Sequence, residues 1–279
     1  MRQLYLLLIF SVTIYAENIN LSLINHNGES SYIVDSDNIQ NLKSKLIFPF
    51  NFNSIDLEYQ YKLKYFNLSL STSIILNSKI TKGEDYDWQN NNLTVYSKSD
   101  NKIDKYYKIA MELSRDLSSN IDLFTKFSYQ VLNMFWSNTY QKDYIKNSDE
   151  YIIDDSLKFQ QEFYKYNLGV VYKKNITKKL SLEFIPSLTY TYINSQDIHI
   201  LRDFYTIQNI KSFGYDIGCK LDFQIEQKSN LLILFNYSTQ KGKNIDMDYY
   251  NELNQKYLSY PSSYYHKDII IGIKYNYEF

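Results

Sequence analysis

The sequence predicts an all-β fold: a transmembrane antiparallel β-barrel of about ten strands that extends above the outer membrane. Three observations predict it. The first is a hydrophobic period of two that runs almost throughout the chain. Leu180, Leu182, Phe184, Leu188, Tyr190 and Tyr192 alternate with Ser181, Glu183, Ser187, Thr189 and Thr191. Ile269, Ile271, Ile273, Tyr275, Tyr277 and Phe279 alternate with Asp268, Gly272, Lys274, Asn276 and Glu278 in the same way. Successive strand side chains point to opposite faces, so one set meets lipid and the other the lumen. The second is composition: 30 Tyr and 16 Phe against 7 Gly and 3 Pro. The apolar face of a soluble sandwich favours aliphatics, whereas here Tyr gathers near strand ends, where aromatic girdles sit. The third is export. Residues 1–16 carry a positive charge at Arg2, an apolar stretch and a small residue, Ala16, before Glu17. This reads as a signal peptide, and its apolar run is too short to span a bilayer as a helix.

Residues 17–279 then read as one barrel domain. In chain order the expected strands cover 18–34, 41–62, 66–77, 104–116, 121–138, 155–173, 179–195, 207–224, 230–241 and 264–279. Short connections at residues 63–65, 117–120, 175–178 and 226–229 alternate with long polar ones at 78–103, 139–154, 196–206 and 242–263. Short turns belong to the periplasmic side and long loops to the outside. Several strands exceed the roughly 9–11 residues that cross a membrane, so the barrel projects above it.

Composition also excludes function classes. The net charge of −1 gives no electrostatic basis for nucleic-acid binding. A single Cys219 permits no intrachain disulfide or Cys-rich metal site, and His26, His199 and His266 are too far apart for a zinc helix motif. No cofactor or metal is expected.

Two stretches carry chemistry. Glu84-Asp85-Tyr86-Asp87-Trp88 follows the third expected strand, and Asp197-Ile198-His199 follows the seventh. Each places ionisable groups at i and i+2, on one face of an extended chain. Both strands run outward if the N-terminus is periplasmic, and four strands out of about ten separate them, so the stretches face each other across the rim. Asp197 beside His199 would orient the imidazole and stabilise its protonated form. Asp85 and Asp87 would hold the other side of a water and raise one another's pKa. A lone acidic pair in an external loop is more often solvated or cation-binding. Two pairs at matching rim positions favour deprotonation of a water for attack on a carbonyl.

The order Asp85-x-Asp87-Trp88, then Asp197-x-His199, resembles the omptins, outer-membrane endopeptidases with ten-stranded barrels. The resemblance extends to Asn18-Ile19-Asn20, Gly28-Glu29-Ser30, the loop spacing and a closing Tyr-x-Phe. It implies peptide or protein substrates at the bacterial cell surface, and Asp85, Asp87, Asp197 and His199 as the catalytic set. Asp197–His199 would be the base and the aspartate pair would help hold the water. No covalent intermediate or metal is implied. Ser97 lies near a serine that omptins carry in the same loop and is given no role. Omptins select basic residues with acidic groups. Where they carry one acid two residues before the dyad aspartate, this chain has Ser195. Near the other it has Ser31 or Tyr32, with Glu29 the only acid close by. Glu29 and Ser195 are thus the expected substrate-binding residues, and dibasic selectivity is expected to be weakened. The Tyr-x-Glu-x-Arg run by which omptins bind lipopolysaccharide is Tyr129, Val131 and Asn133 here, which implies an altered site, with Lys173 expected to fill a nearby basic position. Two other functions are compatible with the barrel: an inactive adhesin or structural protein, and a small porin-like channel.

Overall fold

A computed structural model of the chain describes residues 17–36, 41–200 and 202–279. The expected signal peptide lies outside the described residues. The elements are β1 (Asn18–Asp35), β2 (Leu42–Lys62), β3 (Asn67–Lys79), β4 (Thr81–Gln89), β5 (Asn92–Ser118), β6 (Ile121–Asp143), β7 (Ser148–Ile152), β8 (Leu157–Asn175), β9 (Leu180–His199), β10 (Phe204–Glu226), β11 (Ser229–Asn251) and β12 (Lys256–Glu278).

All pairings are antiparallel, and β1 pairs with β12 from Asn18↔Glu278 to Val34↔Ser262, which closes the ring. β3 and β4 occupy one place in that ring, both lying between β2 and β5. β7 only extends a hairpin with the end of β6. The ring therefore has about ten staves. The break between β3 and β4 has a local cause at Pro49 of β2. Proline has no N–H for the ladder. Its carbonyl is taken instead by side chains, Thr81 Oγ1 and Asn101 Nδ2, each at 2.5 Å.

The outer face carries an exposed apolar belt that includes Leu21, Leu23, Ile109, Met111, Leu168, Ile233, Ile271 and Ile273. Above it runs an aromatic girdle. Ring centroids lie 6.0 Å apart for Tyr107–Tyr129, 5.1 Å for Tyr129–Tyr164, 6.2 Å for Tyr164–Tyr192 and 5.0 Å for Tyr190–Phe213. Tyr129, expected in the position of the omptin Tyr-x-Glu-x-Arg run, belongs to this girdle. Lys173 does not adjoin that run: it lies near the periplasmic turns and pairs with Asp122 at 2.5 Å.

The strands are longer than the alternation suggested, reaching 27 residues in β5. Much of 78–103, 139–154, 196–206 and 242–263, expected as loops, is hydrogen-bonded strand. Above the bilayer the outer face meets water, so apolar alternation fades while the backbone ladder continues. The turns are tight and built on Asn or Asp at positive φ: Asn90 (51°) with Asn91 (62°), Asn147 (51°), Asp203 (52°) and Asn254 (59°). These residue types tolerate the left-handed region that such hairpins need.

Inside, the lumen has two zones. The lower one is polar and charged, with Lys274–Glu58 at 2.8 Å, Lys165–Asp216 at 2.9 Å and His26–Asp268 at 2.9 Å around a cavity of about 310 Å³. Above it lies a buried apolar layer contributed by β1, β2, β5, β6 and every strand from β8 to β12. Its centre is Phe48 stacked on Phe159, with centroids 3.9 Å apart and planes 9° apart. Trp136 packs on Phe48 at 4.8 Å and covers Gly83 of β4, where a Cβ would meet the indole at 2.4 Å. Glycine at 83 is what lets the layer reach the β4 side. The layer closes the lumen, which a porin keeps open and wet.

Two measurements follow from this closure. Phe48→Ala and Phe159→Ala should each lower unfolding stability in detergent by about 3–5 kcal/mol, the usual cost of emptying a buried phenylalanine site. The parent should show no stepwise conductance in a planar bilayer and the double variant should conduct. Conductance by the parent would contradict a sealed lumen.

Candidate active site

The acidic stretches stand above the apolar layer, one on β4 and one on β9. On β4, Thr81, Gly83, Asp85 and Asp87 share the inward face. Glu84 points outward, where it accepts from Tyr86 Oη at 2.9 Å and Tyr96 Oη at 3.1 Å. On β9, the inward series Thr191, Ile193, Ser195 is buried and ends at Asp197, only 2% exposed, and His199. Both pairs lie within strands rather than loops, so ladder hydrogen bonds on both sides fix their directions.

Each arm has its own supports. Ser44 of β2, opposite Asp87 in the ladder, donates to Asp85 Oδ1 at 3.5 Å. Ser97, opposite Asp85 on β5, is buried beside it. His199 Nε2 lies 3.5 Å from Asp197 Oδ2. The imidazole stacks on Phe204 of β10, with centroids 4.1 Å apart and planes 19° apart. Tyr32 of β1 donates its hydroxyl to the same Asp197 Oδ2. Asp197 Oδ1 is buried and has no hydrogen-bond partner.

Among the described residues, no hydrogen bond or ion pair joins the two arms. They act on each other through space. Burial pushes the Asp85 carboxyl well above the ordinary carboxylate range, and the charges of Asp87 and Asp197 push it further, against the opposing guanidinium of Arg202. Asp87 is also raised, by burial first, while Ser44, Arg202 and His199 act the other way. Tyr249 of β11 is raised by burial and then by Asp197, with Asp87 adding to it. One side chain thus senses both arms. Burial, and for Asp85 the neighbouring like charges, thus favour the protonated form of the aspartate pair.

The expected substrate-binding residues lie apart. Ser195 is 4% exposed and one inward step below Asp197, level in the ladder with Gln161 and Gln208. Its surroundings are neutral. Gln161 Nε2 donates to Tyr264 Oη at 3.1 Å, Ser30 Oγ donates to Gln161 Oε1 at 2.9 Å, and Gln208 Nε2 donates to Ser262 Oγ at 3.1 Å. Glu29 stands outside this group. It has the odd parity of Leu21 and Leu23 on β1 and lines an outer groove with Lys45, Lys241 and Tyr265. Parity in β1 is legible once its register is known, but sequence spacing alone did not reveal it. Ser44 and Tyr249 were not anticipated, because their place depends on strands far away in sequence; Arg202 and Phe204 follow His199 closely but carry no motif, and Tyr32, named only as a match to an omptin pocket position, reaches Asp197 from across the mouth.

No family model matches the chain, and no curated protein matches it. Among solved structures, the outer membrane protease OmpT from Escherichia coli superposes with a TM-score of 0.79 at 13% identity, over 95% of this chain and 97% of that one. The translocator domain of the autotransporter NalP from Neisseria meningitidis gives 0.40 at 10% identity, covering 100% and 96%. OprG from Pseudomonas aeruginosa gives 0.39 at 11% identity, covering 92% and 96%.

The raised carboxyls have a measurable consequence. The folded barrel holds the Asp85 proton more tightly than the unfolded chain does. Its contribution to stability is complete below the ordinary carboxylate pKa and is lost as pH rises through the raised value. Asp85→Asn should therefore unfold at a higher temperature than the parent near neutrality, with the gap narrowing on acidification to about pH 4. A gap independent of pH would be inconsistent with a raised Asp85.

Proposed function

We propose that this bacterial outer-membrane β-barrel is an endopeptidase of omptin type. On this reading a water between the two arms is activated for attack on a peptide carbonyl. The observation that carries the proposal is the placement of an Asp-His pair on β9 and an aspartate pair on β4 above a buried apolar layer, with His199 Nε2 3.5 Å from Asp197 Oδ2. That geometry serves chemistry at the mouth better than passage through the barrel.

Each group then has a role. His199 turns Nε2 to Asp197, which leaves Nδ1 for the water. It takes the proton as the water oxygen bonds to the carbonyl carbon, and Asp197 stabilises the resulting imidazolium. Asp85 and Asp87 hold the water from the other side, accepting its second proton as a hydrogen bond. The imidazolium then protonates the amine as the C–N bond breaks. No group of the protein becomes acylated.

Selectivity follows from what lies beneath Asp197. Accommodating a Lys or Arg side chain calls for a carboxylate in the pocket, because an unpaired buried charge is costly. Ser195, Gln161, Gln208, Ser30 and Tyr264 offer dipoles but no charge. The site therefore suits neutral residues before the cut, and it departs from dibasic preference.

Two experiments test this. Asp85→Ala, Asp87→Ala, Asp197→Ala and His199→Ala should each reduce cleavage of a peptide library about 10²–10⁴-fold while the barrel remains folded. Their effects should combine less than additively, since all act on one water. Undiminished cleavage by His199→Ala would refute the mechanism. Absence of cleavage by the parent would favour an adhesin or structural barrel. Separately, Ser195→Asp should shift library preference towards Lys or Arg before the cut. A parent already sharply selective for basic residues would show that another group supplies the charge.

A further inference from the structure

The hydroxyl of Tyr32 lies at an unusual place, shared with the proposed base on one carboxylate oxygen. Tyr32 is on β1 and Asp197 on β9, on opposite sides of the barrel mouth. The phenol is 3% exposed, and its ring is held from below by Phe48 at 6.0 Å and Phe159 at 6.2 Å. It donates to Asp197 Oδ2, the oxygen that His199 Nε2 approaches to only 3.5 Å. A charge-assisted contact between imidazolium and carboxylate is about 2.7–2.9 Å. We infer that Tyr32 is a positioning residue that divides Asp197 between two donors and so limits how strongly this carboxylate holds a proton on His199.

The inference rests on the peptidase reading for its catalytic meaning, but not for its physical content. A carboxylate that accepts a hydrogen bond from a neutral phenol has less charge to offer a neighbouring imidazolium. His199 then stays neutral, and able to act as a base, at a lower pH than beside an undivided Asp197. The phenol remains a donor throughout, since burial and the Asp197 charge raise its own pKa. The other charged or titratable groups facing His199 are Asp85 and Asp87 from β4, Arg202 from the β9–β10 turn and Tyr249 from β11. β10 contributes the uncharged Phe204. None of these changes when the Tyr32 hydroxyl is removed.

Tyr32→Phe removes that hydroxyl and keeps the ring in the apolar layer. Two readouts are needed: the pH profile of kcat/KM on a cleaved peptide, and the NMR titration of His199 in detergent-solubilised protein. Losing one shared hydrogen bond should move the His199 titration and the acid limb upward by about 0.5–1 pH unit. In an Asp197→Asn background the same substitution should leave the titration unmoved. An unmoved titration in Tyr32→Phe, or an equal shift in both backgrounds, would overturn the inference. Should Tyr32→Phe not fold, Tyr32→Met also lacks the donor and is read in the same way. The NMR arm separates this inference from the peptidase reading. A shifted titration in a barrel that cleaves no peptide would keep the positioning role and discard the proposed function.

Discussion

Closure of the ring is the constraint on which everything else depends. In lipid every backbone N–H and C=O must find a partner within the protein, and a sheet does this only when its first and last strands meet. Here β1 lies between β12 and β2 along almost its whole length. Closure assigns each residue to the lumen or to the outside by parity alone. It also makes neighbours of residues hundreds of positions apart. His26 reaches Asp268, and Ser30 Oγ lies 2.8 Å from His266 Nδ1. The same closure brings Tyr32 to Asp197.

The lumen then has to be filled, and this chain fills it in two ways. Near the periplasm, polar and ionic side chains balance one another around a cavity. Towards the outside, aromatic and aliphatic side chains pack into a layer several residues thick. That layer separates the charged lumen from the cleft and gives the cleft a rigid, apolar floor. Without it, Asp85 and Asp87 would be open from below to water, and the burial that raises their carboxyls would be lost. The perturbed electrostatics at the mouth are a consequence of the packing beneath it.

The cleft places its charges unevenly. Carboxylates stand on both walls, an imidazole on one, and a guanidinium nearby restrains the aspartates. The layer under Asp197 is polar without being charged. Charge is thus concentrated at the level of Asp85, Asp87, Asp197 and His199 and absent from the hydrogen-bonded layer of Ser30, Gln161, Ser195 and Gln208 beneath it.

The sequence by itself determined the fold class, the strand count of about ten and the fact that each ionisable pair shares one face of its strand. Period-two alternation and strand parity are local properties, and Asp85 with Asp87, and Asp197 with His199, carry their parity in their spacing. It did not determine where strands end above the membrane. In 78–103 and 242–263 the outer face meets water, so the outward apolar alternation fades and hydrogen-bonded strand reads as loop. Nor did it place Glu29, whose nearness to Gly28 and Ser30 says nothing of which face it takes. Only the tertiary structure decided that Glu29 faces outward, that Lys173 pairs with Asp122, and that Tyr32 shares Asp197 with His199. These are contacts between strands set by register around a closed ring. Register depends on every pairing at once, so no single stretch of sequence contains it.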